Sequence, residues 1–380
     1  MSQIFTALLG FDPALREVFT NLGLALLPFL LAIALSVILC WLAIWLSPRV
    51  GMMKLAGRER DLHTRAIPML GGLSLYLAFT GVVLWAVPNS ISRNAVLGLG
   101  GAAAIFFLVD DRFRIPAGIK LLGQLLIALL AVLCFGGMFQ ITFFTLPWVG
   151  IVQTGWLAVP LSIFWLLGMQ NTVNLIDGVD GLAGGVVAIV ALTLVLAAAT
   201  NGQPEVILLA AVLAGSCLGY LIFNFHPAKL FMADSGAHFL GVALGLLSII
   251  GVAKLPVALA LLIPLLGLAV PIFDTAFSII RRRLEGVSLA RADARHVHHR
   301  LLDYGLSQRQ TCLVFYGATA ILGAIGLTVL GHRKILGLAI VLMIILLSTA
   351  LAEQMQTSRR CIGPSLKRLL GEQTETPPVG

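Results

Sequence analysis

The chain is predicted to be an all-α polytopic membrane protein. Hydrophobic residues make up 59% of its 380 residues, charged residues only 11%, and mean hydropathy is +1.00. A soluble domain carries roughly 25% charge, so a soluble fold of this composition is excluded. The charges also fall into short clusters, and the neutral runs between them are long enough to cross a bilayer, for which about 20 apolar residues suffice.

Taken in order, the neutral runs cover residues 18–48, 66–92, 94–109, 121–176, 181–204, 206–228, 235–253, 255–273, 310–332 and 335–352. Run 121–176 has room for two spans, and its middle, from Phe135-Gly-Gly-Met to Pro147-Trp-Val-Gly, reads as an interfacial turn or short hairpin between them. The expectation is therefore about 11 transmembrane helices. Lys and Arg orient them by the positive-inside rule. With the N-terminus outside, only Arg16, Arg93, Lys254, Arg333 and Lys334 face outward, and the clusters Arg49 to Arg65, Arg112 to Lys120, Arg281 to Arg309 and Arg359 to Arg368 face the cytoplasm with Lys229. The C-terminus is then cytoplasmic. This reading divides the chain into an extracytoplasmic segment 1–20, a polytopic domain 21–353, and a tail 354–380 that is basic and then polar, of a composition expected to be disordered.

Other classes fall away on composition. The five cysteines, Cys40, Cys134, Cys217, Cys312 and Cys361, show neither CxxC nor metal spacing, and the first four sit in apolar runs as small hydrophobes. The net charge of +8 arises from residues capping apolar runs rather than from a separate basic domain, so anionic lipid and an anionic substrate are the expected partners, not nucleic acid. The first apolar run follows Asp12, Arg16 and Glu17, lacks a basic leader and is too long for a cleavable signal.

The polar residues that interrupt this pattern gather at one set of span ends. Asp110-Asp111-Arg112 closes a span with adjacent carboxylates, which are costly at a membrane boundary unless a cation, a proton or basic partners relieve them. Asn171, Asn174, Asp177 and Asp180 recur at every third residue, so a helix would set them on one flank, as oxygen donors suited to Mg²⁺ or to a phosphate-sugar. A turn loosened by Gly178 and Gly181 is the plainer reading of that segment. Asp234, after Asn224, Phe231 and Met232, falls near a helix N-terminus, as an N-cap or as part of an anion or metal site. His296, His298, His299 and Arg300 lie among further arginines. That setting repels a metal and suits phosphate oxygens, and an amphipathic basic helix lying on anionic lipid is the alternative. Arg65 precedes Pro68 and Gly71-Gly72, where small residues allow close helix approach.

In this order, HTRxIPxLGG (His63 to Gly72), the Asp110-Asp111-Arg112 pair with its arginine, NxxNxxDGxDGL (Asn171 to Leu182), NxxPAKxFMAD (Asn224 to Asp234), PIFDT (Pro271 to Thr275) and HxHHRL (His296 to Leu301) resemble the polyprenyl-phosphate N-acetylhexosamine-1-phosphate transferases. The resemblance covers about residues 20–350. The HxHHRL ending, with Arg300 where the MraY branch carries an acidic residue, resembles the WecA/TagO branch. It implies transfer of N-acetylglucosamine 1-phosphate from a UDP-N-acetylhexosamine to undecaprenyl phosphate, release of UMP, and a location in the inner membrane with the catalytic face cytoplasmic. It implies Mg²⁺, with Mn²⁺ as the alternative ion, held by Asp234 and Asn174, and a homodimer as the alternative to a monomer. The same resemblance gives Asp110, Asp111, Asp177, Asp180, His296, His298 and His299 catalytic roles, and Arg65, Asn171, Asn224, Phe231 and Arg300 substrate-binding ones. Ala233 departs from the family's usual glycine before the metal-site aspartate, which implies a tighter nucleotide pocket. The competing readings are a UDP-MurNAc-pentapeptide transferase and, from another class, an ion-coupled secondary transporter. Only Asp274, within an apolar run, suits the transporter better.

Overall fold

The computed structural model describes residues 13–54, 66–146, 150–200, 202–253 and 307–329. The described helices are α1 (Pro13–Leu46), α2 (Gly71–Ala86), α3 (Ile91–Phe113), α4 (Ala117–Cys134), α5 (Ala158–Ile176), α6 (Leu182–Thr200), α7 (Pro204–Asn224), α8 (Ala233–Ala253) and α9 (Gln308–Val329). Two small antiparallel pairs join them: β1 (Met53–Lys54) with β2 (Ile67–Pro68), and β3 (Phe143–Leu146) with β4 (Gly150–Gln153). Helices dominate because a backbone in hydrocarbon must satisfy its polar groups within the segment. The β3–β4 ladder, registered from Phe143 opposite Gln153 to Leu146 opposite Gly150, is the expected hairpin inside run 121–176.

Seven helices, not eleven, are long and apolar enough to span a membrane among the described residues: α1 from Leu22, then α3, α4, α5 with the 3₁₀ turn before it, α6, α7 and α8. The higher expectation equated absence of charge with a spanning helix. Run 66–92 contains Pro68 and Pro88, and the helix between them, α2, has 16 residues. That gives about 24 Å of rise against a hydrocarbon core of about 30 Å. Run 310–332 yields α9, whose first turn is polar, with Gln308, Arg309, Gln310 and Thr311. Runs 255–273 and 335–352 lie outside the described residues. The strict alternation that put the N-terminus outside and the C-terminus inside loses its basis with the count. α1 begins at Pro13, and its membrane-spanning part runs from Leu22 to Leu46.

The core is formed by α6, α7 and α8, with 83%, 72% and 89% of their spans buried, whereas α1 and α4 bury 22% and 28% and present apolar side chains outward. Small residues allow the tight crossings. A Cβ on Gly215 or Gly219 of α7 would run into the backbone oxygens of Phe29 and Ile33 on α1, and Ser36 donates to the Ser216 carbonyl at 2.7 Å in the same seam. At one end of the bundle the Ser90 and Ser92 hydroxyls both donate to Glu205, tying the start of α3 to the start of α7.

The other end is where the chemistry lies. There α2 and α8 meet almost backbone to backbone: a Cβ on Gly72 would strike the Gly236 nitrogen, the Met232 carbonyl and the Ser235 hydroxyl. Gly71 N–H donates to the Phe231 carbonyl at 3.0 Å, and Phe231 N–H to the Pro68 carbonyl at 2.9 Å, so β2 and the start of α2 are bonded to the segment that leads into α8. Two tyrosines add to this. A Cβ on Gly185 of α6 would overlap the Tyr316 ring, whose hydroxyl donates to the Gly181 carbonyl at 2.6 Å. On the neighbouring side, Gly184 faces Tyr220, whose hydroxyl donates to the Leu230 carbonyl at 3.3 Å. The Gly184-Gly185 pair thus admits two rings that pin two loops.

Ala233, the first residue of α8, has φ +55°. A left-handed conformation costs an L-residue with a Cβ roughly 1–2 kcal/mol and costs glycine nothing, which gives a backbone reason for glycine at this place in the motif, in contrast to the expected effect on pocket width. Ala233→Gly should therefore stabilise the protein by up to about 1 kcal/mol, read as a raised unfolding midpoint in detergent. An unchanged or lowered midpoint would show that the turn holds no strain.

Candidate active site

The site is built from the ends of six helices. α3 carries Asp110 and Asp111 in its last turn, and Arg114, at φ +57°, turns the chain out of it. α4 brings Lys120 in its first turn, α5 ends at Asn174 and Ile176, α7 ends at Asn224, α8 begins at Ala233 and α9 carries Arg309, Cys312 and Tyr316.

Asp110, Asp111 and Asp234 bring a carboxylate oxygen each to within 4.8 Å of one another. Asp110 is 3% exposed and accepts from Ile115 N–H at 2.8 Å. Asp111 reaches across to α8 and accepts from the backbone N–H groups of Asp234 and Ser235 at 3.0 and 3.1 Å. Those are orphan donors at a helix N-terminus, where a negative charge is also favoured by the helix dipole. Asp234 is thus no simple N-cap: the capping carboxylate is Asp111, and the Asp234 side chain turns instead to Lys120 at 2.9 Å. Lys120 pairs with Asp110 as well, so one ammonium bridges two of the three carboxylates. Hard oxygen donors in this number suit a divalent cation such as Mg²⁺, and each carboxylate keeps lone pairs beyond those used in the protein. The triad can therefore coordinate a divalent cation.

The NxxNxxDGxDG segment does not form one flank of a helix. α5 stops at Ile176 with Asp177 as its C-cap, and the chain then turns through Gly181 at φ +87°. Asn171 pairs with Gln124 of α4 through both ends of its amide, at 3.1 and 3.3 Å, and donates to the Leu167 carbonyl at 2.8 Å. Asn174 stays half-buried on the last turn of α5. Asp180 accepts from His226 Nδ1 at 2.9 Å and from Ala228 N–H at 3.0 Å. Asn224, expected to bind substrate, is 2% exposed and joins two loops, accepting from Gly181 N–H at 2.9 Å and donating to the Leu230 carbonyl at 2.9 Å. Phe231 is half-buried, with the Lys54 ammonium 5.1 Å from its ring centroid. Cys312 donates to the Asp180 carbonyl at 3.2 Å and Arg309 to the His226 carbonyl at 3.0 Å, so α9 closes on the same loops. Arg65, His296, His298, His299, Arg300 and Asp274 lie outside the described residues.

Lys120, Gln124 and His226 were not singled out by sequence reasoning. Lys120 had a legible signal, a lone ammonium at the start of an otherwise apolar helix. Gln124 and His226 had none, because only folding brings them to Asn171 and Asp180. Asp177 is the carboxyl most affected by the cluster. Burial pushes it well above the usual carboxylate range, Lys54 opposes the shift, and the charges of Asp234, Asp111 and Asp180 add to it. A carboxyl raised in the folded state holds its proton better than in the unfolded chain, so its contribution to stability is lost as pH rises above the ordinary value of about 4. Asp177→Asn should raise the unfolding midpoint in chelator at neutral pH, by about 1 kcal/mol or more, and the gain should shrink on acidification toward pH ~4. A gain that persists unchanged at low pH would contradict this.

The sequence matches the glycosyl transferase family 4 over residues 93–252, which takes in the triad and the Asp177–Asp180 loop. It is 37% identical over 260 residues to a Bacillus subtilis protein described as a probable undecaprenyl-phosphate N-acetylglucosaminyl 1-phosphate transferase, covering 68% of this chain and 72% of that one. Identity is 34% over 290 residues to the Mycolicibacterium smegmatis decaprenyl-phosphate N-acetylglucosaminephosphotransferase, covering 68% and 71%. It is 33% over 291 residues to the Moorella thermoacetica phospho-N-acetylmuramoyl-pentapeptide-transferase, covering 72% and 87%. Kinship of this extent makes the chain a member of the polyprenyl-phosphate N-acetylhexosamine-1-phosphate transferase family, on its WecA/TagO-like branch.

Proposed function

We propose that this enzyme transfers N-acetylhexosamine 1-phosphate, with N-acetylglucosamine as the sugar, from its UDP derivative to undecaprenyl phosphate and releases UMP. The reaction would be the first membrane step of an envelope glycan. The observation that carries this reading is the Asp110, Asp111 and Asp234 triad with Lys120 beside it, at one end of a membrane bundle. The names of the Bacillus and Mycolicibacterium relatives support the sugar and the polyprenyl acceptor.

Both reactants are phosphates, so charge neutralisation is the central demand. Asp234 and Asp110, with Asn174 nearby, would hold Mg²⁺, and Mn²⁺ has the same preference for oxygen donors. When bound, the ion neutralises diphosphate oxygens and stabilises the leaving UMP. Asp111 fixes the start of α8 and so holds Asp234 in place. Lys120, paired with Asp110 and Asp234, balances the acidic cluster and would exchange one of those carboxylates for a phosphate oxygen. Asp177 would tune the charge of the site, Phe231 would stack on uracil, and Arg65, Arg300 and the His296, His298 and His299 group would hold phosphate oxygens. A lipid phosphate oxygen attacks the β-phosphorus, the bond from that phosphorus to the UMP oxygen breaks, and the anomeric C–O bond is left intact.

The location proposed is the inner membrane with the catalytic face cytoplasmic. Among the described residues, Arg49, Lys54, Arg112, Arg114, Lys120, Lys229 and Arg309 lie at the site end, against Arg16 and Arg93 at the other, the bias expected of a cytoplasmic side. The test is UMP release by purified protein from UDP-N-acetylglucosamine, undecaprenyl phosphate and Mg²⁺ in detergent. Chelation should stop it, and Asp234→Asn should lower kcat by at least about 100-fold without loss of membrane insertion. Near-normal turnover of Asp234→Asn would remove the metal assignment. Turnover of UDP-MurNAc-pentapeptide in preference to UDP-N-acetylglucosamine would move the chain to the peptidoglycan branch, and absence of any UMP would leave a carrier.

A further inference from the structure

Asp180 and His226 form an oriented pair at the edge of the site. The Asp180 Oδ2 oxygen takes His226 Nδ1 at 2.9 Å and Ala228 N–H at 3.0 Å, so the carboxylate holds both the ring and the loop that carries it. From behind, Arg309 Nε donates to the His226 carbonyl at 3.0 Å. The two side chains differ in access: His226 is 35% exposed and Asp180 14%. The member of the pair able to meet a ligand is the imidazole.

A carboxylate only accepts, so Nδ1 carries the proton, and in the neutral ring Nε2 is left as a lone-pair acceptor. An acceptor needs a hydroxyl or amide donor. Of the two reactants, a polyprenyl phosphate offers acceptor oxygens, whereas a nucleotide sugar offers the hydroxyls of its ribose and its hexosamine. The position suits that reactant. His226 stands in the loop that runs on through Phe231 to Asp234, and Asn224 joins that loop at Leu230 to Gly181, the residue after Asp180.

We propose that His226, held in one tautomer by Asp180, accepts a hydrogen bond from a hydroxyl group of the nucleotide sugar, and that Asp180 is its positioning residue. This rests on the transferase reading above and assigns a substrate contact to a side chain outside the metal cluster.

The experiment is steady-state UMP release with each substrate varied in turn. His226→Asn keeps an amide nitrogen near the Nδ1 position, and so the bond to Asp180, but removes the Nε2 acceptor. It should raise KM for the UDP-sugar about fivefold to tenfold and leave KM for undecaprenyl phosphate unchanged, the loss expected for one hydrogen bond. His226→Gln, whose side-chain oxygen reaches toward the Nε2 position, should return part of that loss. Asp180→Asn should act on the same constant, and the double variant Asp180→Asn/His226→Asn should be no worse than His226→Asn alone, because the two residues act as a unit. Deoxy analogues of the ribose and the hexosamine then identify the hydroxyl: the one concerned should bind parent and His226→Asn alike. A parental KM for the UDP-sugar in His226→Asn, an equal rise for both substrates, or additive losses in the double variant would overturn the assignment while parent turnover stands. A parent enzyme that makes no UMP would sink the transferase reading itself.

Discussion

The carboxylate of Asp111 bonded to the Asp234 and Ser235 N–H groups in the first turn of α8 is the interaction on which the rest of the site depends. It joins the end of one buried helix to the start of another. In a low-dielectric bundle those N–H groups and that carboxylate would each be costly alone. Together they satisfy one another and set Asp234 beside Asp110. The remaining negative charge is met by Lys120, which reaches Asp110 and Asp234 from α4. Three helices are thereby locked at one end by charge, and a divalent cation would bind to a cluster already assembled.

Such a lock requires the backbones to come close. At Gly72 and Gly236 the starts of α2 and α8 touch almost backbone to backbone, and at Gly184 and Gly185 the start of α6 lets Tyr220 and Tyr316 reach the loop carbonyls of Leu230 and Gly181. Asn224 ties the same two loops through Gly181 and Leu230. Residues that bear no chemistry therefore determine how far Asp177 and Asp180 stand from Asp234. Their glycines are requirements of approach and not of flexibility.

Several polar residues that look functional in the chain also hold one another in place. Asn171 is paired with Gln124, Asn224 is buried as a brace, and Asp180 holds His226 and Ala228 N–H. Three-residue spacing along Asn171, Asn174, Asp177 and Asp180 suggested a single oxygen-lined flank, but α5 ends at Ile176 and the later members belong to a turn. Periodicity identifies a face only while the helix lasts.

Composition and hydropathy by themselves determined that the chain lives in a bilayer, where the apolar segments lie, and that a hairpin interrupts run 121–176, because the exclusion of charge from hydrocarbon is written into every residue. The ordered motifs determined the family and the identity of Asp110, Asp111 and Asp234 as a group of interest. Helix length was not legible in the same way, since charge marks the ends of a neutral run but proline and polar neutral residues decide how much of it spans. Only the tertiary structure decided the partners: Asp111 on the start of α8, Lys120 between two aspartates, His226 on Asp180. Those contacts join residues up to 124 positions apart along the chain, and no local pattern encodes a pairing that arises only when separate helices are packed side by side.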